Sequence, residues 1–448
     1  MAQPSRGAVF AVGRMLEFAM NIDRLDIQNF RCFEDRTFAF DRRFTLLIGT
    51  NATGKTATLD ALAIALGAVL TPVPDARSRG IGRRDVRRTY RFAGETGHFV
   101  EHYPARIEAS GSVGERKLVW VRELKSAKSR TTQEGSYAIR QAMGDLVRRS
   151  TDNDRIVFPY IGYYGTNRFW LEQRPTAKGP VDPGGRSSRY IGYQDCLTSM
   201  SSARHLTAWI KRLALIEDQR RRRLKTLHAV YEAIAACVQD VVAAEFDFDE
   251  DDIVLEFSKD NHVPFQLLSD GQRSMAAIAA DIAMRCSQLN PHLNERARIE
   301  TPGIVLIDEL DLHLHPRWQR GVIEDLIETF PRLQFIATSH SPFIVQSVSE
   351  GGVINLDQGD DVPEKPEMQS IEDVAENIMG IDLPQQSQRF QKMVAVAEEY
   401  YRLIESGSTE DDLEVKAVRE RLDELEEPFA DDPAYIAFLR LQRTARKL

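Results

Sequence analysis

Cysteine is scarce in this chain. Cys32, Cys196, Cys237 and Cys286 are the four present, far apart and without the close spacing of a zinc site or a thiol redox pair. That excludes a disulfide framework and reads as reduced residues of a cytosolic protein. Long apolar runs are missing too: none approaches the ~18 residues of a membrane span, so no membrane association is expected. Residues 1–19 hold one weak apolar stretch and no convincing signal-peptide cleavage site. Met15 and Met20 stand just before the first regular pattern, so the segment ahead of Met20 reads as a tail or as lying outside the native product. An excess of positive charge is also lacking. The net charge of −9 excludes a protein that holds nucleic acid over its whole surface, and any such contact must be a local patch. There is no internal repeat, no His/Cys metal cluster and no sustained heptad pattern.

What is present is globular. A chain of 448 residues with 42% hydrophobic and 28% charged residues can bury a large core, divided into two or three domains. The most informative segment is Phe44 to Thr56. An apolar, β-branched run breaks into Gly49-Thr50-Asn51-Ala52-Thr53-Gly54-Lys55-Thr56, and a helical pattern follows from Ala57 to Leu70. This is the strand–loop–helix setting of a phosphate-binding loop. Glycines let backbone N–H groups turn inward around a phosphate, and the helix N-terminus adds positive dipole. Asn51, Ala52, Thr53, Gly54, Lys55, Thr56 and Ala57 are the expected nucleotide contacts. Lys55 would reach the β- and γ-phosphates and Thr56 would ligate Mg²⁺.

Three further segments fit the same chemistry. Ile304-Val305-Leu306-Ile307 ends in Asp308-Glu309, so a buried strand would carry Asp308 to the sheet edge where the phosphate loop also lies. Asp308 would hold Mg²⁺, and Glu309 would orient or deprotonate the attacking water. About thirty residues on, Ser339-His340 closes the next strand, and His340 would hydrogen-bond the γ-phosphate or the water. Leu268-Ser269-Asp270-Gly271-Gln272 lies between a hairpin and a helix. It reads as an anion-binding helix start, or as an ordinary capping turn.

The four segments resemble, in order, the Walker A, signature, Walker B and H-loop of the ABC-type ATPase head found in SMC-like and RecF-like proteins. The resemblance implies an α/β fold with a mostly parallel sheet, an antiparallel β lobe, a short helical arm and a C-terminal helical extension. It implies ATP and Mg²⁺ held between two heads, with Ser269, Gly271 and Gln272 reaching the nucleotide of the partner protomer. It also gives Arg31, in Asn29-Phe30-Arg31-Cys32-Phe33, a place near the phosphates. Tyr163 to Trp170, Gly192 to Leu197, and Asp308 to Pro316 are similar to the ATPase subunit of Septu-type anti-phage systems and of related retron systems. That likeness implies a separate HNH-type nuclease subunit as partner. Two departures stand out. No clear Q-loop glutamine is found, with Asn167 a candidate equivalent. His315 falls at the D-loop aspartate position, as in RecF-like proteins, which implies a place near the dimer seam; together with His313 it also fits a solvated turn before a Pro-started helix.

The expected organisation is a tail over 1–23, the first part of the head over 24–200, a helical arm over 201–250, the second part of the head over 251–358 and a docking or oligomerisation extension over 359–448. Leu25 to Phe30 is expected as an edge strand, His98 to Ala109 as one strand, and His205 to Val242 as one long helical signal. Arg77 to Arg91 and Arg220 to Arg223 would contact DNA phosphates or form salt-bridged faces. A nuclease within the chain is not expected: Asp357, Asp360 and Asp361 lack the strands that a TOPRIM domain needs. Two other readings remain at this stage, a RecF-like DNA repair ATPase and a nucleotide-switched scaffold with little turnover.

Overall fold

The computed structural model describes residues 20–93, 96–114, 116–166, 189–198, 203–349, 351–357, 365–409 and 412–429. The Pro/Gly/Ser-rich stretch over 175–188, Asn167, Asp360, Asp361 and the last expected helix over 432–447 lie outside them.

Phe44–Ile48 is buried at every position, as are Tyr160–Tyr164, Gly303–Ile307 and Leu333–Thr338. Strands without a polar face require cover on both sides, the situation of a parallel sheet. These four join Val353–Asn355 in a five-stranded sheet, in the order Val353–Asn355, Phe44–Ile48, Leu333–Thr338, Gly303–Ile307, Tyr160–Tyr164. Every pairing in it is parallel. The strands therefore all end at one edge, which gathers the loops that follow them.

The helix Lys55–Leu70 is buried along almost its whole length, on all sides. It lies against both the parallel sheet and an antiparallel lobe. Trp120, itself buried, donates its indole N–H to the Ala65 carbonyl at 3.0 Å. The lobe is a four-stranded sheet in the order Phe33–Ala39, Met20–Phe30, Ala105–Val113, Arg116–Leu124. The α/β fold with a parallel sheet and a separate antiparallel part is the one expected from the sequence.

Several elements differ from expectation. Met20–Phe30 is an interior strand and not an edge. A register shift between Ile22 and Arg24 rephases it, so Ile22, Leu25 and Ile27 all face inward. The segment from His98 to Ala109 divides into Thr96–Glu101 and Ala105–Val113, because Pro104 has no N–H for a continuous ladder. Thr96–Glu101 instead pairs with Arg88–Ala93 as a separate hairpin. The long helical signal is two helices, Ala203–Arg220 and Lys225–Cys237, broken where Arg221 adopts φ 47°. A strand not anticipated, Ala243–Asp247, completes a three-stranded sheet with Asp252–Ser258 and Asn261–Pro264.

The chain divides into two compact units, residues 1–374 and 375–448. The second contains the helices Gln388–Glu405 and Leu413–Glu426, joined through Met393, Val396, Ala397, Val415 and Leu422.

Candidate functional site

The phosphate loop leaves its strand at Gly49 and enters the helix through Gly54, which adopts φ 110°. A Cβ there would lie 2.3 Å from the Phe33 ring and 2.7 Å from Cys32 Sγ, so only glycine fits. The helix start has no side-chain cap. Its first N–H groups are therefore left for a ligand, the cradle an anion needs. Lys55 Nζ donates to the carbonyls of Gly49 at 2.7 Å and Thr50 at 2.8 Å. Burial lowers the Lys55 pKa, and the carboxylates of Asp357, Asp308, Glu309 and Asp311 oppose that shift. The ammonium is thus tethered inside the loop beside a group of acids.

The Walker B strand brings Asp308 to the same edge. Its Oδ2 accepts from Thr56 Oγ1 at 2.9 Å, so the two expected metal ligands are in contact. Its Oδ1 accepts from Thr338 Oγ1 at 2.7 Å, and that hydroxyl accepts in turn from the Glu309 N–H at 2.7 Å. Glu309 has φ 50°, a left-handed conformation that is costly for a residue with a Cβ. The two acids and the end of the next strand thus form one connected unit. His340, just beyond that strand, donates its backbone N–H to Asp311 Oδ1 at 3.3 Å.

Arg31 is held by two carboxylates next to the phosphate loop, whose Gly54 lies against the neighbouring Cys32 and Phe33. Its guanidinium pairs with Asp60 at 2.5 Å and Asp85 at 2.9 Å. Asp60 is buried one turn along the phosphate-loop helix and also pairs with Arg79 at 2.7 Å. Several arginines of the expected groups also have acidic partners: Arg83 and Arg88 pair with Glu101, Arg87 with Glu34, Arg77 with Asp195 and Arg223 with Glu232.

The signature segment starts the helix Asp270–Leu289. Ser269 Oγ lies 2.9 Å from Gln272 Oε1 and accepts from the Gln272 N–H at 3.4 Å, so the capping turn is formed. Gly271 rests on the loop after Walker B: a Cβ would lie 2.4 Å from the His313 carbonyl. His315 Nδ1 accepts from the Arg317 N–H at 3.2 Å and caps the short helix Pro316–Gln319.

Two participants escaped the sequence reading. Thr338 is the last residue of an apolar strand and carries no motif. Asp357 stands far from the other motifs, yet its carboxylate accepts from the Thr50 N–H at 2.6 Å and from Thr50 Oγ1 at 2.9 Å. The short strand Val353–Asn355 that delivers it is too brief to read from periodicity.

Residues 24–241 match a family model described as an AAA domain. Residues 205–346 match one described as AAA domain, putative AbiEii toxin, Type IV TA system. The chain is 36% identical to the retron Ec83 probable ATPase of Escherichia coli over 137 residues, 30% of this chain and 24% of that protein. It is 35% identical to the Septu protein PtuA of Bacillus mycoides (strain KBAB4) over 127 residues, 28% of this chain and 17% of that protein. The matched part is thus a quarter or less of either relative's length. Among solved structures, the SMC head domain from Thermotoga maritima aligns with a TM-score of 0.40 at 14% identity, covering 75% of this chain and 94% of that one. Residues 24 to 346 of this chain are thus similar to AAA domains, and parts of the chain are similar to a retron probable ATPase and to the Septu protein PtuA.

Proposed function

We propose that this chain binds and hydrolyses ATP with Mg²⁺, and that it works as the ATPase subunit of an anti-phage defence complex. The observation that carries the reading is the contact between Thr56 Oγ1 and Asp308 Oδ2 at 2.9 Å, beside a Lys55 ammonium tethered to carbonyls of its own loop. Thr56 and Asp308 would hold Mg²⁺, whose charge offsets that of the β- and γ-phosphate oxygens. The uncapped N–H groups at the start of the Lys55–Leu70 helix receive phosphate oxygens, and Lys55 exchanges its carbonyl partners for them. Glu309 orients the attacking water and takes its proton, and His340 hydrogen-bonds the γ-phosphate or that water. Ser269, Gly271 and Gln272 complete the site from a second copy, so turnover requires a two-fold dimer. Arg31, paired with Asp60 and Asp85, adds positive charge near the phosphates.

The defence role draws on similarity to a retron probable ATPase and to the Septu protein PtuA. In this reading the chain works in the cytoplasm and controls a separate HNH-type nuclease subunit. No helix of the described residues is long and apolar enough to cross a membrane. Purified protein should turn over ATP in a Mg²⁺-dependent way, and affinity purification from the native operon should bring down a nuclease. A chain that neither binds nor hydrolyses ATP overturns the first part, and one recovered alone overturns the second.

A further inference from the structure

Asp357 is not part of any nucleotide-binding motif, yet its backbone is fixed to the phosphate-loop strand. Val353–Asn355 pairs in parallel with that strand, Asn355 opposite Ile48. The ladder continues through the Leu356 N–H, which donates to the Ile48 carbonyl at 3.0 Å. The Asp357 N–H then donates at 2.9 Å to Oδ1 of Asn355, which is buried. The carboxylate is therefore aimed by the sheet edge and not by a free loop.

It grips one residue by two bonds. Oδ2 accepts the Thr50 N–H at 2.6 Å and Oδ1 accepts the Thr50 hydroxyl at 2.9 Å. The Thr50 carbonyl takes Lys55 Nζ at 2.8 Å and Thr53 Oγ1 at 3.0 Å. All the polar groups of Thr50 are thus engaged, with Asp357 on the N–H and hydroxyl and Lys55 on the carbonyl. When Lys55 turns to a phosphate, the carbonyl loses its ammonium but the two bonds to Asp357 need not break. A loop held in shape before the ligand arrives pays less ordering cost on binding.

We propose that Asp357 is a positioning residue of the nucleotide site, a two-point clasp that keeps the first turn of the phosphate loop in its binding shape through Thr50. This assignment rests on the ATP-binding reading above. Charge-assisted hydrogen bonds of this length are the stronger kind. The opposite role, a carboxylate that merely repels phosphate, makes the opposite prediction for affinity.

The test is a fluorescence titration of a non-hydrolysable ATP analogue with Mg²⁺, using the full chain and five variants. Asp357→Ala should raise Kd about tenfold. Asp357→Asn, which retains an acceptor for the Thr50 N–H, should recover most of that loss. Thr50→Val should weaken binding less than Asp357→Ala, and the double variant should be no worse than Asp357→Ala alone, because both act on one clasp. Thermal melts identify a variant that is simply unfolded; if Asp357→Ala is one, Thr50→Val carries the test, and wild-type binding by Thr50→Val then overturns the assignment. Wild-type or tighter binding by Asp357→Ala overturns the assignment, as does equal loss in Asp357→Asn and Asp357→Ala. Lys55→Ala separates the two levels. If it loses binding while Asp357→Ala does not, only the clasp fails; if it binds normally, the ATP reading fails.

Discussion

Thr56 Oγ1 and Asp308 Oδ2 lie 2.9 Å apart although 252 positions separate them in the chain. The contact joins the helix that follows one parallel strand to the acid that ends another. A hydroxyl and a carboxylate held together at the mouth of a phosphate loop are the pair that a divalent cation bridges. Thr56→Ala should therefore raise the Mg²⁺ concentration needed for half-maximal ATPase activity more than it raises KM for ATP at saturating Mg²⁺. An unchanged Mg²⁺ requirement would remove Thr56 from the metal site.

Glu309→Gln keeps the shape of the side chain and removes its basicity. A positioned general base contributes roughly 10²–10⁴-fold. The variant should still bind ATP, hydrolyse it at least ~100-fold more slowly, and accumulate as an ATP-bound dimer. Single-turnover hydrolysis and light scattering with ATP check both halves; full turnover would assign the base elsewhere.

Thr338 ties Asp308 to the Glu309 backbone through one hydroxyl. Thr338→Val is close in shape but leaves a buried carboxylate oxygen and an N–H without that partner. The cost is about 1–3 kcal/mol, read as a lower unfolding midpoint in urea. Glu309 would also lose its fixed position, so kcat should fall more than affinity for ATP. A variant with wild-type stability and kcat would show that the hydroxyl is not the link.

Gly271→Ala introduces a methyl group 2.4 Å from the His313 carbonyl, well inside van der Waals contact. The backbone must shift at the start of the signature helix. Nucleotide binding to the isolated monomer should persist, whereas ATP-dependent dimerisation and turnover should fall together. Sedimentation velocity with and without ATP distinguishes this from a general loss of fold.

Asp325 gives a pH signature. Burial, with Glu324 and Glu328 adding like charge, raises its pKa to about 6 from 3.8. A carboxyl whose folded pKa is raised costs stability when ionised. That cost is absent below the unfolded value, grows between the two, and is complete above the folded value. On lowering the pH from 7 towards 4, this group's contribution therefore moves in the stabilising direction. Asp325→Asn should raise Tm at pH 7 and change it little at pH 4. An equal effect at both pH values would mean that the titration is not the cause.

Much of the site was legible in the sequence, because a phosphate loop needs glycine at fixed offsets and a strand that delivers an acid needs an unbroken apolar run. Lys55, Thr56, Asp308 and Glu309 are the candidates that this reasoning picks out, and the structure brings Thr56 to Asp308 and Asp308 to Glu309 through Thr338. The strand boundaries were less legible. Arg221 and Pro104 interrupt patterns whose hydrophobic period runs on past them, and the bulge near Arg24 hides the phase of an interior strand.

Local sequence fixed the elements that carry the chemistry: a glycine turn, a buried strand and a helix start are each set by a few adjacent residues. Only the tertiary structure decided which other groups join them. The parallel sheet places strands from distant parts of the chain side by side, so Thr338 came to bridge two acids and Asp357 to hold Thr50. Arg31 settled between Asp60 of the phosphate-loop helix and Asp85, two carboxylates that the fold brings beside it. Such partners are selected by proximity in space, and a linear pattern with periods of two or 3.6 residues carries no record of it.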